Sequence, residues 1–129
     1  MRNRNNNQWT WDKITHFKRE EFDSPDKEGS GSIMDMQFVK LLDNMRQVTN
    51  IPMKINSGVR TISHNKIVGG KRNSSHLKGV AVDIHCNSSI TRQKLITAAI
   101  RYGIKRIGIG NTFIHIDVDS SKSPSIWLY

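Results

Sequence analysis

Val80-Ala81-Val82-Asp83-Ile84-His85 decides the fold. Its residues alternate as they do on a half-buried strand, where successive side chains point to opposite faces. Val80, Val82 and Ile84 fall on one face; Ala81, Asp83 and His85 fall on the other. Phe113-Ile114-His115-Ile116-Asp117-Val118 repeats the pattern. Ile114, Ile116 and Val118 share one face, and Phe113, His115 and Asp117 the opposite one. Each strand buries an aliphatic face and presents an acid and a histidine on the other. Paired in one sheet, the two strands bring four ionisable groups to one surface.

Working outward, the first of these strands extends over 79–85. Residues 104–109 read as a further strand, joined to 113–118 by a tight turn at Gly110-Asn111. Residues 53–56 read as a short strand ending in a Ser57-Gly58 turn. The clearest helix begins at Ser32 as N-cap, carries Met34, Phe38, Leu41, Leu42, Met45 and Val48 on one face, and stops at Asn50 and Pro52. A second helix starts at Ser89 or Thr91, with Leu95, Ile96, Ala99, Ile100 and Tyr102 mostly on its apolar face and Gly103 just past its end. A short helix is expected near Ile14 and one helical turn within 59–65. Phe17 to Phe22 is expected to pack onto the domain. Stretches 23–32 and 68–75 read as loops, and 120–129 as a tail. Helices and strands do not alternate regularly. The reading is therefore α+β: a small single domain with a mainly antiparallel sheet flanked by helices and the candidate site on the open sheet face.

The chain has 129 residues, enough for one domain. Residues 1–8 are polar and rich in Asn and Arg, and are expected to be a disordered tail ahead of a single domain over 9–129. No stretch approaches the roughly 18 apolar residues of a membrane span. The charged start has no apolar run behind it, so no signal peptide is expected. Cys86 is the single cysteine, which excludes an internal disulfide and a Cys-rich zinc finger. It is expected to be a buried, inert thiol. Lys and Arg number 20 against 11 acids, a net +9 that calls for an anionic partner. Nucleic acid, a membrane surface and an anionic wall polymer all qualify on charge alone.

His76 stands seven residues before Asp83, at the end of the Gly/Asn/Ser loop, and a loop can fold its imidazole back over the strand. Two imidazoles and one carboxylate then make a three-ligand site with an open fourth position. That is the pattern of a catalytic zinc site, in contrast to the closed four-ligand structural kind. Taken singly, each residue has a plainer reading, a solvated strand acid or a histidine with no special role. The same alternation in two strands strengthens the joint reading without deciding between them.

Ser74-Ser75-His76-Leu77-Lys78-Gly79-Val80-Ala81-Val82-Asp83 has the form S-x-H-x-x-G-x-A-x-D, and His115-Ile116-Asp117 that of H-x-D. Upstream stand Ile55-Asn56-Ser57-Gly58-Val59-Arg60 and His64-Asn65-Lys66-Ile67-Val68-Gly69-Gly70; Trp127-Leu128-Tyr129 closes the chain. Over 17–129 these motifs, in this order, resemble the zinc D-alanyl-D-alanine carboxypeptidase family. Its members include peptidoglycan endopeptidases and phage endolysins, and the likeness is to its short, bare catalytic domains. The resemblance implies a small α+β domain with an antiparallel sheet floor under a zinc ion. It implies His76, Asp83 and His115 as zinc ligands, Arg60 as contact for the substrate carboxylate or scissile carbonyl, and Ser74 as a substrate contact or a loop-bracing hydroxyl. It further implies a peptidoglycan peptide as substrate, zinc-dependent hydrolysis, and action at the cell wall after synthesis in the cytoplasm. A phage lysin would reach the wall by a separate release route.

One departure concerns the general base. Many relatives carry an acid three residues before the last zinc histidine, or a histidine two before it. Thr112 and Phe113 stand there, and neither takes a proton from water at neutral pH. Asp117 is the first candidate for the catalytic base; its other role is to accept a hydrogen bond from a ligand imidazole. His85 is the next, against the plainer reading of a partly exposed strand histidine. His64 is expected to cap or brace its loop. Lys66, Lys71, Arg72 and Lys78 are expected to flank the cleft, as a wall-binding rim or as a solvated loop. Two alternatives stand beside the peptidase: a zinc-containing module that binds without cleaving, and a basic nucleic-acid-binding protein. No helix-turn-helix, RRM or zinc-finger pattern supports the latter, so no nucleic-acid partner is expected. A monomer is the default expectation.

Overall fold

In the computed structural model, which describes residues 9–129, five strands form one sheet. They are β1 (Ile55–Ser57), β2 (Ala81–His85), β3 (Arg106–Ile109), β4 (Phe113–Asp117) and β5 (Ser125–Leu128), in the order β1-β2-β4-β3-β5. All neighbouring pairs are antiparallel except β3 with β5, which are parallel. The helices are α1 (Met36–Thr49), α2 (Ile62–Ile67) and α3 (Ser89–Arg101). The architecture is the α+β one expected. The expected disordered tail, 1–8, lies outside the described residues.

β2 and β4 pair residue for residue: Ala81 opposite Asp117, Asp83 opposite His115, and His85 opposite Phe113. The alternation therefore sorts the two faces as expected. Val82, Ile84, Ile114 and Ile116 are buried and join Phe38, Leu42, Met45 and Leu95 of the helices in one core cluster. Burying each such side chain contributes roughly 1.5–3 kcal/mol relative to leaving it exposed. Val118 departs from the expectation. β4 ends at Asp117, and Val118 is exposed beyond it.

α1 begins later than Ser32. Residues Ser30–Ile33 form a separate 3-10 turn, and Asp35 is the cap, its carboxylate accepting from the Phe38 N–H at 3.2 Å. The Asp35 N–H donates to Gly79 O at 2.9 Å, a tertiary contact that fixes where the helix can start. Met34 is buried ahead of the helix, while Val48 is exposed. Asn50, at φ 55°, ends α1 where expected. Asp43 is buried in α1 and accepts from the Thr15 and His16 N–H groups, which ties the N-terminal segment down. Phe17 and Phe22 of that segment are core residues.

α3 is capped by Ser88, one residue before the earlier expected cap, Ser89. It buries Leu95, Ala98 and Ala99 but leaves Ile100 exposed. β5 was not foreseen in the tail. Its residues are largely exposed because it is an edge strand, paired only with β3.

Candidate metal centre

Three side chains meet on the sheet face opposite the core. Asp83 on β2 and His115 on β4 are directly opposed, which sets their side chains next to one another. His76 comes from a 3-10 turn, Ser75–Lys78, whose N-cap Ser74 accepts from the His76 N–H at 3.3 Å. Asp83 Oδ1 lies 2.9 Å from His115 Nδ1 and 3.5 Å from His76 Nε2. One ligand atom from each residue falls within 4.8 Å of the other two. Both histidines are buried, and Asp83 is partly exposed. Two nitrogens and one carboxylate, with no thiolate, form a donor set that suits zinc. Cys86 is buried and free.

Each of the three is held from behind. His76 Nδ1 donates to Gly58 O at 2.8 Å. His115 Nε2 donates to Asp117 Oδ2 at 2.7 Å. Asp83 Oδ2 faces Arg60 Nη2 at 3.5 Å. Such partners fix ring orientation and leave the opposite nitrogen free to ligate. Asp117 is 1% exposed and is itself fixed, its Oδ1 accepting from Arg106 Nε at 2.8 Å and from the Asp119 N–H at 3.0 Å.

Arg60 is anchored in turn. Its Nε donates to Ser57 Oγ at 3.2 Å and its Nη1 to Asn65 Oδ1 at 3.3 Å. Asn65 is buried and also donates to Lys71 O at 2.8 Å. Gly70 makes this possible, because a Cβ there would overlap the Asn65 amide oxygen and crowd Arg60. Asp119 performs the corresponding task for the His76 turn. Its carboxylate accepts from Ser75 Oγ at 2.7 Å and from Lys78 Nζ at 3.3 Å. Because its own N–H is held by Asp117, one chain of bonds runs from the His76 turn to His115.

The charges settle accordingly. Burial alone would raise the Asp83 pKa, but hydrogen bonds and attraction from His115 and His76 outweigh it and hold the carboxyl well below its ordinary range. Burial alone would lower that of His115, but Asp117 and Asp83 together raise it. Asp117 and Asp119 are both lowered against the cost of burial, by His115 and by the Ser121 and Ser75 hydroxyls respectively.

An aromatic wall stands beside the site. The Trp127 ring lies 5.4 Å from that of His115, and Tyr129 lies 4.8 Å from Phe113. Both close over Gly108, the β3 residue opposite His115; a Cβ on Gly108 would strike Tyr129 at 2.6 Å and Trp127 at 2.7 Å. Burial and the nearby Asp83 carboxylate raise the Tyr129 phenol above its ordinary value.

The structure brings together His76, Asp83, His115, Arg60 and Asp117. Ser74 acts as the cap of the His76 turn. His85 sits one row from Asp83 on the same face, exposed and opposite Phe113. His64 lines a cleft of about 220 Å³ with Arg60, Glu21 and Ser57. Sequence reasoning missed Arg106 and Asp119, whose roles depend on contacts the fold creates, and left Asn65 without a role. It also quoted Trp127 and Tyr129 without placing them.

A sequence-family model described as Peptidase M15 matches residues 15–117. No curated protein matches the chain.

Proposed function

The chain belongs to the peptidase M15 family, a family of zinc-dependent peptidases, and from that premise we propose that it hydrolyses D-alanine-containing peptide bonds of peptidoglycan. The observation that carries the reading is the His76-Asp83-His115 group, its three ligand atoms within 4.8 Å and each residue braced from behind.

In this reading His76, Asp83 and His115 hold zinc. When bound, zinc supplies a Lewis acid that polarises a carbonyl and lowers the pKa of water to about 7. Arg60 presents a guanidinium fixed by Ser57 and Asn65, ready to fork onto the substrate carboxylate or steady the carbonyl oxygen as charge develops. Asp117 keeps the His115 ring in orientation. It is buried, accepts three hydrogen bonds, and lies on the side of His115 remote from Asp83, which argues against its taking a proton from water. His85 is the better candidate for that proton, being exposed, on the same face, and free of side-chain partners among the described residues. The Trp127 and Tyr129 wall offers an apolar surface to the small side chains of the substrate. We place the activity at the cell wall, where peptidoglycan lies, with a phage lysin as the proposed role.

The test is mass spectrometry of purified peptidoglycan after incubation with the protein, with zinc and with a chelator. New zinc-dependent peptide termini are expected, and their masses name the bond. Thr112, in place of the acid common among relatives, keeps one other reading in view, a zinc module that binds without cleaving. Stoichiometric zinc with an unchanged digest would establish that reading instead.

A further inference from the structure

Charge is distributed unevenly along this chain. Residues 1–43 hold seven Lys and Arg against eight acids, whereas residues 44–129 hold thirteen against three. Those three are Asp83, Asp117 and Asp119, all engaged in the candidate centre or its brace. The surface built from residues 44–129 therefore displays cations with no exposed acid among them. Concentrating like charge costs self-repulsion and suits a surface that meets a polyanion.

Part of this cationic surface lies away from the metal centre. The last turn of α1 and the outer side of α3 enclose a groove of about 370 Å³, lined by Val48, Gln93, Lys94, Thr97, Arg101 and Tyr102 among others. Gln93, Thr97 and Arg101 follow at four-residue spacing and so form one row along the helix. Lys94 and Arg101 stand about 10 Å apart along the axis, at 1.5 Å per residue. Neither has an ion pair among the described residues. α1 and α3 pack on the aliphatic face of the sheet, so this groove is on the side opposite His76, Asp83 and His115.

We propose that the groove docks a polyol-phosphate polymer of the cell wall, with Lys94 and Arg101 meeting its phosphates and Gln93 and Thr97 its hydroxyls. The choice of occupant rests on the reading of the chain as a wall peptidase. A nucleic acid fits less well, because Tyr102 is the single aromatic lining the groove and offers no stacking platform. A lipid surface also fits less well. Between the exposed Ile90 and Ile100, the outward row is Gln93, Lys94 and Thr97 rather than a continuous apolar face. A polymer bound from behind leaves the metal face free, and raises the concentration of peptide substrate around it.

The test measures binding of the zinc-loaded protein to poly(glycerol phosphate) over a range of salt. The double variant Lys94→Gln/Arg101→Gln is compared with Lys27→Gln/Lys54→Gln, which removes the same charge elsewhere. The first pair should weaken binding at least tenfold. It should also lower the log–log salt slope by about 1.4, at roughly 0.7 per phosphate contact on a flexible strand. The second pair should change binding less than twofold. Hydrolysis of a small soluble peptide should be the same in all three proteins. Equal weakening by both pairs would overturn the proposal in favour of net charge alone. Tighter binding to duplex DNA or to anionic phosphatidylglycerol vesicles than to the polymer would overturn the choice of occupant. Polymer binding is read without catalysis, so a protein that docks as described but releases no peptide would contradict the peptidase reading and not the groove.

Discussion

His115 donates from Nε2 to Asp117 while its Nδ1 faces Asp83, so two carboxylates fix a single imidazole from opposite sides. One of them is positioned to share a metal with the ring and the other to aim it. Asp117→Asn keeps the shape but not the charge that anchors the ring. It is expected to weaken zinc binding 10–100-fold, read by competition with a chromophoric chelator. An unchanged zinc affinity would remove Asp117 from the orienting role. Full loss of turnover with full zinc affinity would return it to the role of base.

His85→Gln separates the two candidates for the proton. It should leave zinc affinity intact and lower kcat by about 10²–10⁴-fold, the usual worth of a general base. Wild-type kcat in this variant would eliminate His85.

Gly108→Ala tests the aromatic wall. The added methyl collides with two rings rather than with open space. Crowding of this kind costs typically 1–3 kcal/mol, and the rings must move off Gly108. Expected are a lower melting temperature and a raised KM with zinc affinity preserved. An unchanged KM would show that substrate does not touch the wall.

Asp119 gives the fold an acid-sensitive joint. Its pKa is lowered in the folded protein, so its stabilising effect is complete above the unfolded value near 3.9. That effect fades as pH falls through the folded value. Thermal melts of the chelated protein should drop as pH falls from about 5 towards 2, and Asp119→Asn should narrow that drop. Equal drops in the two proteins would show that other carboxylates carry it.

The two strands that carry Asp83 and His115 were legible because a period of two survives any tertiary context. Their register then followed in the structure residue by residue. The start of α1 was not legible, because Ser32 has the right chemistry for a cap but Asp35 has the right partner, Gly79, forty-four residues downstream. β5 was hidden for a related reason. An exposed edge strand has no buried face to impose alternation, and its Trp127 and Tyr129 are placed by Gly108 on a neighbouring strand. Arg106 and Asp119 likewise read as ordinary surface charges until the fold brings Asp117 and Ser75 against them.

The strand order has a kinetic corollary. β2 and β4 each have a strand on either side, so Asp83 and His115 ride on the part of the sheet whose amides should exchange last. His76 rides on a single 3-10 turn held by Ser75, Lys78 and Asp119. Opening that turn breaks fewer backbone hydrogen bonds than opening the paired strands. A metal held by these three residues would therefore be admitted and released through the His76 arm, at a rate set by one turn of backbone, while the other two ligands wait in place.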